Sequence, residues 1–183
     1  MTNIVLDSCC LINLCAVGDL SVWMGNVGVT WHIPSAVLSE ALFLRAGNGT
    51  GAPGRIRLDM TVYIEGHLIE PCGTTSEPEV DIYIDLAREL DDGEAMGLAI
   101  AHCRGWRLAT DDTLARDKAA TLGVEVVTTP ELVRLWASST KARSPQIRRA
   151  VEAVRARARF IPGREFPHWD WWHDHLGRPA ERQ

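Results

Sequence analysis

The chain has 183 residues, 46% of them hydrophobic and 23% charged, with a formal charge of −5. That length fits one domain with an appendage better than two domains, and the apolar share is enough for a packed core. No run approaches the ~18–20 apolar residues that span a bilayer, and no basic stretch leads into an apolar one at the N-terminus, so neither a membrane segment nor a secretory signal is expected.

The overall charge hides a division. Residues 1–139 carry 9 Lys/Arg against 19 Asp/Glu, whereas residues 140–183 carry 10 against 5. An acidic body suits divalent cations and a basic tail suits a polyanion, unless the two neutralise each other. Cys9, Cys10, Cys15, Cys72 and Cys103 form an odd set without C-x-x-C spacing. They read as buried free thiols in a reducing cytoplasm.

In chain order, Asn3-Ile4-Val5-Leu6 predicts a short buried strand ending at Asp7-Ser8. A helix follows through Leu11, Leu14 and Cys15, then a strand over Val29 to Ile33. Pro34-Ser35 opens a helix on which Leu38, Ala41, Leu42 and Arg45 keep helical spacing as far as Gly47. The Gly-rich stretch 47–54 reads as a loop, and it lacks the G-x-x-x-x-G-K-[ST] arrangement of a nucleotide-triphosphate site.

Met60 to Ile64 and His67 to Ile69, around Glu65-Gly66, predict a β-hairpin. Helices are expected over 80–90, 94–103, 114–122 and 130–136, with strands over 107–110 and 124–127. Alternating strands and helices point to a parallel sheet covered on both faces. After Ser138-Ser139-Thr140 the pattern changes. Ser144-Pro145 starts a helix through Phe160, followed by a segment holding Trp169, Trp171 and Trp172. The chain therefore divides into a body, 1–137, and a basic extension, 138–183.

Ligands of such sheets bind beyond the C-terminal strand ends. Asp7 follows the first strand, and Asp111 and Asp112 follow Leu108-Ala109-Thr110. Glu40 lies in an apolar helical context, and Glu94 begins the helix after Gly93. Converging carboxylates repel, and a hard divalent cation such as Mg²⁺ or Mn²⁺ removes that cost. Asp112 reads equally well as the cap of the following helix.

Four segments, in order and at suitable separations, resemble the PIN-domain family: Asn3 to Ser8, Ser39-Glu40, Asp92-Gly93-Glu94-Ala95 continuing to Ala101, and Leu108 to Arg116 with its Thr110-Asp111-Asp112 core. The nearest likeness is to VapC-like toxins, and it covers residues 1–137. The resemblance implies a Rossmann-like three-layer α/β/α fold with a central parallel sheet, and RNA cleavage with Mg²⁺ or Mn²⁺. It implies catalytic roles for Asp7, Glu40, Glu94 and Asp112. The metal ligands are drawn from Asp7, Glu94, Asp112 and Asp111, and the choice within the last pair stays open. Ser8 and Thr110 match hydroxyls that orient ligands or water, while Asp91 and Asp92 read as helix caps.

The chemistry expected is in-line attack of water on the RNA phosphate, leaving a 5′-phosphate and a 3′-hydroxyl. By the same resemblance the partners are an RNA substrate, a cognate antitoxin and a second copy of the chain. The competing expectation is a catalytically silent PIN-like module that only binds RNA or protein. A phosphatase of the strand-end Asp type is disfavoured, because Asp7-Ser8-Cys9 lacks a second Asp.

Arg148, Arg149, Arg155, Arg157 and Arg159 give the extension a basic face that could follow an RNA backbone, pack as a solvated helix or cover the acidic cleft. His168, His173 and His175 among the tryptophans fit a terminus anchored on the body better than a metal or base-stacking site.

Overall fold

The computed structural model describes residues 2–25, 27–40, 42–46 and 54–176. Most of the glycine-rich stretch, 47–53, and the last residues, 177–183, lie outside them.

In chain order the elements are β1 (Thr2–Leu6), α1 (Ser8–Val17), α2 (Leu20–Met24), β2 (Val29–Pro34), α3 (Ser35–Ser39), β3 (Phe43–Arg45) and β4 (Arg55–Arg57). Then come α4 (Thr61–Glu65), β5 (Ile69–Cys72), α5 (Glu77–Leu86), α6 (Asp92–Arg104), β6 (Arg107–Ala109) and α7 (Thr113–Leu122). The chain ends with β7 (Val126–Val127), α8 (Thr129–Ser139), α9 (Ser144–Ala153), a wide π-type turn over Val154–Ala158, and α10 (Trp169–His175).

Five strands form one parallel sheet in the order β5-β2-β1-β6-β7. Side chains alternate across a strand, so β1 serves two cores at once. Ile4 and Leu6 join an apolar cluster with α1, α2, α8 and α9, while Val5 joins another with α5, α6 and α7. This is a three-layer α/β/α arrangement. Helix α6 lies close on the sheet because Gly97 presents no side chain: a Cβ there would meet Leu108 at 3.3 Å and Val5 at 3.4 Å. The chain leaves β1 for β2 and β5 on one side and returns to β6 and β7 on the other. The ends of β1 and β6 are thus the switch point at which such sheets form their crevice.

Two expectations are corrected. The hairpin over Met60 to Ile69 does not form. Thr61–Glu65 is a helical turn, and Ile69–Cys72 is a parallel edge strand paired with β2. Pro71 is accommodated there because an edge strand does not need every N–H. The helix from Ser35 also stops at Ser39, with Glu40 in extended conformation at its end. Beyond it, Leu42 and Leu44 are buried while Phe43 and Arg45 are exposed. That period of two belongs to a strand, and β3 pairs antiparallel with β4 in a separate ribbon.

The basic extension packs on the body. Ile147, Ala150, Val151 and Val154 are buried in the cluster that holds α1, and Trp172 is fully buried there as well. The Arg157 guanidinium donates to the Ala16 carbonyl at 2.7 Å, near the end of α1. Helix α9 is shorter than expected, ending in the wide turn, with Arg159 at a positive φ of 64°.

Candidate active site

The site is built from the ends of β1 and β6. Asp7 is the N-cap of α1, its Oδ1 accepting from the Ser8 N–H, and it is 1% exposed. Its other oxygen, Oδ2, accepts from the Thr110 hydroxyl at 2.9 Å and from the Cys9 thiol at 2.9 Å. The same Thr110 oxygen accepts from the Asp112 N–H at 3.1 Å, so one buried hydroxyl ties the two strand-end acids together. Asp112 caps α7, accepting from the Ala115 N–H at 2.8 Å.

Glu94 lies in the first turn of α6 and Glu40 at the end of α3. Both lie within electrostatic reach of Asp7. Burial, then the charges of Asp7, Asp112 and Asp91, push the Glu94 carboxyl up to about 7. Glu40 is raised by partial burial and by the charges of Asp7, Asp91 and Asp92, while Ser8 favours its ionised form. Asp7 is raised by burial despite its donors. Asp7 thus lies within electrostatic reach of both Glu94 and Glu40, and Asp112 of Glu94, but among the described residues no three of these acids bring an oxygen each within 4.8 Å of one another. Asp91 is the N-cap residue of α6 and Asp92 lies in its first turn.

Asp111 turns the other way. Its Oδ1 accepts from the Thr129 N–H at 2.8 Å, and its Oδ2 accepts from Asn13 Nδ2 at 2.9 Å and from the Thr129 hydroxyl. One ligand atom each from Cys9, Cys10 and Asp111 lies within 4.8 Å of the others. These three atoms form a hydrogen-bonded knot. Burial, then Cys9 and Asp111, hold the Cys10 thiol well above the ordinary thiol range. A hydrogen bond with Cys10 pulls Cys9 down, but burial and the charges of Asp7 and Asp111 leave it raised. Both Asp111 oxygens are already filled by donors, which makes this a poor cation site.

The carboxylates of Asp7, Glu40, Glu94 and Asp112 are the better chemical match for a hard divalent cation, although they are less tightly gathered than the Cys9, Cys10 and Asp111 atoms. Their donors are hard oxygens, the kind that suits Mg²⁺ or Mn²⁺. Among the described residues, no Lys, Arg or His makes an ion pair with Asp7, Glu40, Glu94 or Asp112; the pairs present lie elsewhere, as between Arg104 and Glu79 at 2.7 Å. Clustered acids without a positive partner are costly until a cation joins them.

Residues 3–166 match the sequence profile of the PIN domain. The chain belongs to the PIN-domain family. The match reaches past the 137 residues of the motif resemblance and takes in α9 and Phe166. PIN domains are in general nucleases that bind divalent metals, and the acids of this chain stand at the switch point of its sheet. No curated protein matches the chain closely enough to add a more specific relative.

Three supporting residues escaped the reading of the sequence: Cys9, Asn13 and Thr129. Asn13 was the most legible, a lone amide in the apolar run Leu11-Ile12-Asn13-Leu14. The terminal histidines behave as an anchored end. His173 and His175 bond to the Trp169 and Trp171 carbonyls one turn back, and the rings of each pair lie against each other. Among the described residues no helix is long and apolar enough to cross a membrane.

Proposed function

We propose that the protein is an endoribonuclease requiring Mg²⁺ or Mn²⁺, of the VapC-like kind, and the toxin of a toxin–antitoxin pair. The observation that carries this reading is the joining of Asp7 and Asp112 through the buried Thr110 hydroxyl at the ends of β1 and β6. Glu94 lies beside them, raised by burial and by both, and among the described residues no Lys, Arg or His makes an ion pair with any of the three. Asp7, Glu94 and Asp112 hold the cation in this reading, and Glu40 completes the set. Asp112 is preferred to Asp111, whose oxygens are already filled.

Bound there, a divalent cation supplies Lewis acidity toward a phosphodiester oxygen and toward water. The chain's own groups do the rest. Thr110 and Ser8 fix the orientation of Asp7, and Thr110 also holds the turn carrying Asp112. Glu40, exposed at the rim, accepts the proton of the attacking water. The water oxygen bonds to phosphorus as the bond to the 3′ oxygen breaks. A 5′-phosphate remains on one fragment, and the 3′ oxygen takes a proton from solvent.

The five cysteines are free, and reduced thiols suit the cytoplasm, where we place the protein. An antitoxin and a second copy of the chain are the protein partners of this reading. The test is cleavage of single-stranded RNA with Mn²⁺, with EDTA, and by Asp7→Asn and Glu94→Gln proteins shown to be folded. Loss of cleavage in the last three supports the reading. Full cleavage by either variant contradicts it and points to a different site, whereas no cleavage by the unaltered protein with Mn²⁺ favours a silent domain.

A further inference from the structure

The outward face of the β3–β4 ribbon has a composition that packing does not require. Directly opposed residues of an antiparallel pair share a face. Phe43 stands opposite Arg57, and Arg45 opposite Arg55, and all four are exposed. Three of the nine basic residues in 1–139 thus stand on one short ribbon of an acidic body. Opposed like charges destabilise a ribbon. Among the described residues no Asp or Glu makes an ion pair with any of the three, and the 47–53 sequence between the strands contains no acid.

Both ends of this face open into hollows. At one end Arg57 shares a cavity of about 420 Å³ with Glu40 and Asp59, walled by Leu38, Leu42 and Leu58. At the other, Arg45 and Arg55 line a cavity of about 370 Å³ with Phe43 and with Arg157 and Arg159. Strand β3 packs against the wide turn that brings those last two arginines in. Arg157 is committed to the Ala16 carbonyl, whereas Arg159 is exposed on a left-handed backbone that few residues other than glycine adopt.

We propose that this face is the track along which single-stranded RNA reaches the carboxylates, with Arg45, Arg55, Arg57 and Arg159 on its phosphates and Phe43 stacked on a base. The proposal rests on the nuclease reading above. Arginines interleaved with an exposed aromatic suit an unpaired strand, whose bases are open to stacking. An acidic peptide would fit the arginines, but at Glu40 it would add carboxylates to a cluster that already repels. A phosphodiester arrives there with its own counter-ion.

The experiment is binding of a fluorescent single-stranded RNA to the full chain in EDTA, by anisotropy over a range of salt. Arg45→Gln/Arg55→Gln is expected to weaken binding at least ~10-fold. It should also flatten the salt slope by about 1.4, at roughly 0.7 for each phosphate that is no longer neutralised. Arg88→Gln, which removes an exposed arginine paired with Asp85, leaves both unchanged. Phe43→Ala weakens binding of ordinary RNA ~10-fold, the loss expected of one stacked base, but not that of an abasic strand with the same phosphates.

Unchanged affinity and slope in the double variant overturn the track, as does a wild type that binds no RNA. Displacement of RNA by polyglutamate as readily as by RNA itself assigns the face to an acidic protein instead. The two readings fail separately. Binding through the ribbon without Mn²⁺-dependent cleavage sinks the nuclease and leaves the track, whereas cleavage with unaltered binding in the ribbon variants sinks the track alone.

Discussion

Glu40 lies directly over Gly93: a Cβ placed on that glycine would stand 2.5 Å from Glu40 Oε1 and 2.8 Å from Val37 Cγ2. The glycine of the Asp92-Gly93-Glu94-Ala95 run is thus the floor on which a carboxylate from a separate segment rests. Gly93→Ala gains up to ~1 kcal/mol of helix propensity. It must also displace a flexible carboxylate and a buried β-branched side chain, and overpacking of that kind costs about 1–3 kcal/mol. We expect a small net fall in thermal stability and at least ~10-fold slower RNA cleavage, with Mn²⁺ binding by calorimetry little changed. An alanine protein that cleaves RNA like the wild type would show that Glu40 plays no part in the reaction.

The acids give stability a pH dependence of opposite sign to that of ordinary ion pairs. The folded Glu94 carboxyl, at about 7, lies above its usual 4.5. Between those values the folded protein holds a proton that the unfolded chain has released, so stability falls as pH rises through that window. Asp7 and Asp111, also raised, act in the same direction, while His32, lowered by burial, opposes them. Glu79 opposes them too: its hydrogen bonds and ion pair with Arg104 lower it to about 2, and the stability this gives is lost as pH falls from about 4.5 toward 2. Melting temperatures of metal-free protein should therefore decline from pH 4.5 to 7. Glu94→Gln should flatten that decline, and Mn²⁺ should oppose it, since the cation competes with the proton.

Asp111 and Asp112 are neighbours with different partners. Removing the Asp111 carboxyl leaves Asn13, the Thr129 N–H and the Thr129 hydroxyl without their acceptor. Buried groups left unpaired cost on the order of 3 kcal/mol in total, so Asp111→Ala should lower the denaturation midpoint substantially. Asp112→Asn keeps a good helix cap. It should melt within a few degrees of the wild type, yet lose Mn²⁺ binding and cleavage.

The C-terminal extension is held by Trp172, which is fully buried while its indole N–H has no hydrogen-bond partner among the described residues. Trp172→Ala should cost about 3–5 kcal/mol by denaturant titration, as large-to-small core changes do. Trp172→Phe discards the unsatisfied N–H along with some packing and should cost much less. Equal losses in the two proteins would mean that the indole N–H is satisfied in solution.

How legible all this was in the sequence varies by element. Strand β1 and helix α6 could be read directly, because a four-residue apolar run and a stretch of small apolar residues each have one ready use. Strand β5 could not. Ile69-Glu70-Pro71-Cys72 has little apolar pattern, since an edge strand is half solvated and tolerates proline. Leu42-Phe43-Leu44-Arg45 reads as a continuation of the preceding helix because so short a window fits either period. Four carboxylates could be named because their motifs lie in linear order. Deciding between Asp111 and Asp112 needed α1 and α8, whose Asn13 and Thr129 claim one of the two acids from elsewhere in the chain. The ribbon arginines were invisible as a group until β3 and β4 were paired.

Whether four acids from separate segments share one cation can be seen by diffraction from crystals soaked in Mn²⁺, at a wavelength where manganese scatters anomalously. We expect one peak bounded by the carboxylates of Asp7, Glu94 and Asp112, with Glu40 at its edge, and none beside Cys9 and Cys10. A peak on the thiols and Asp111, or soaked crystals with no peak among the four acids, would contradict the shared site.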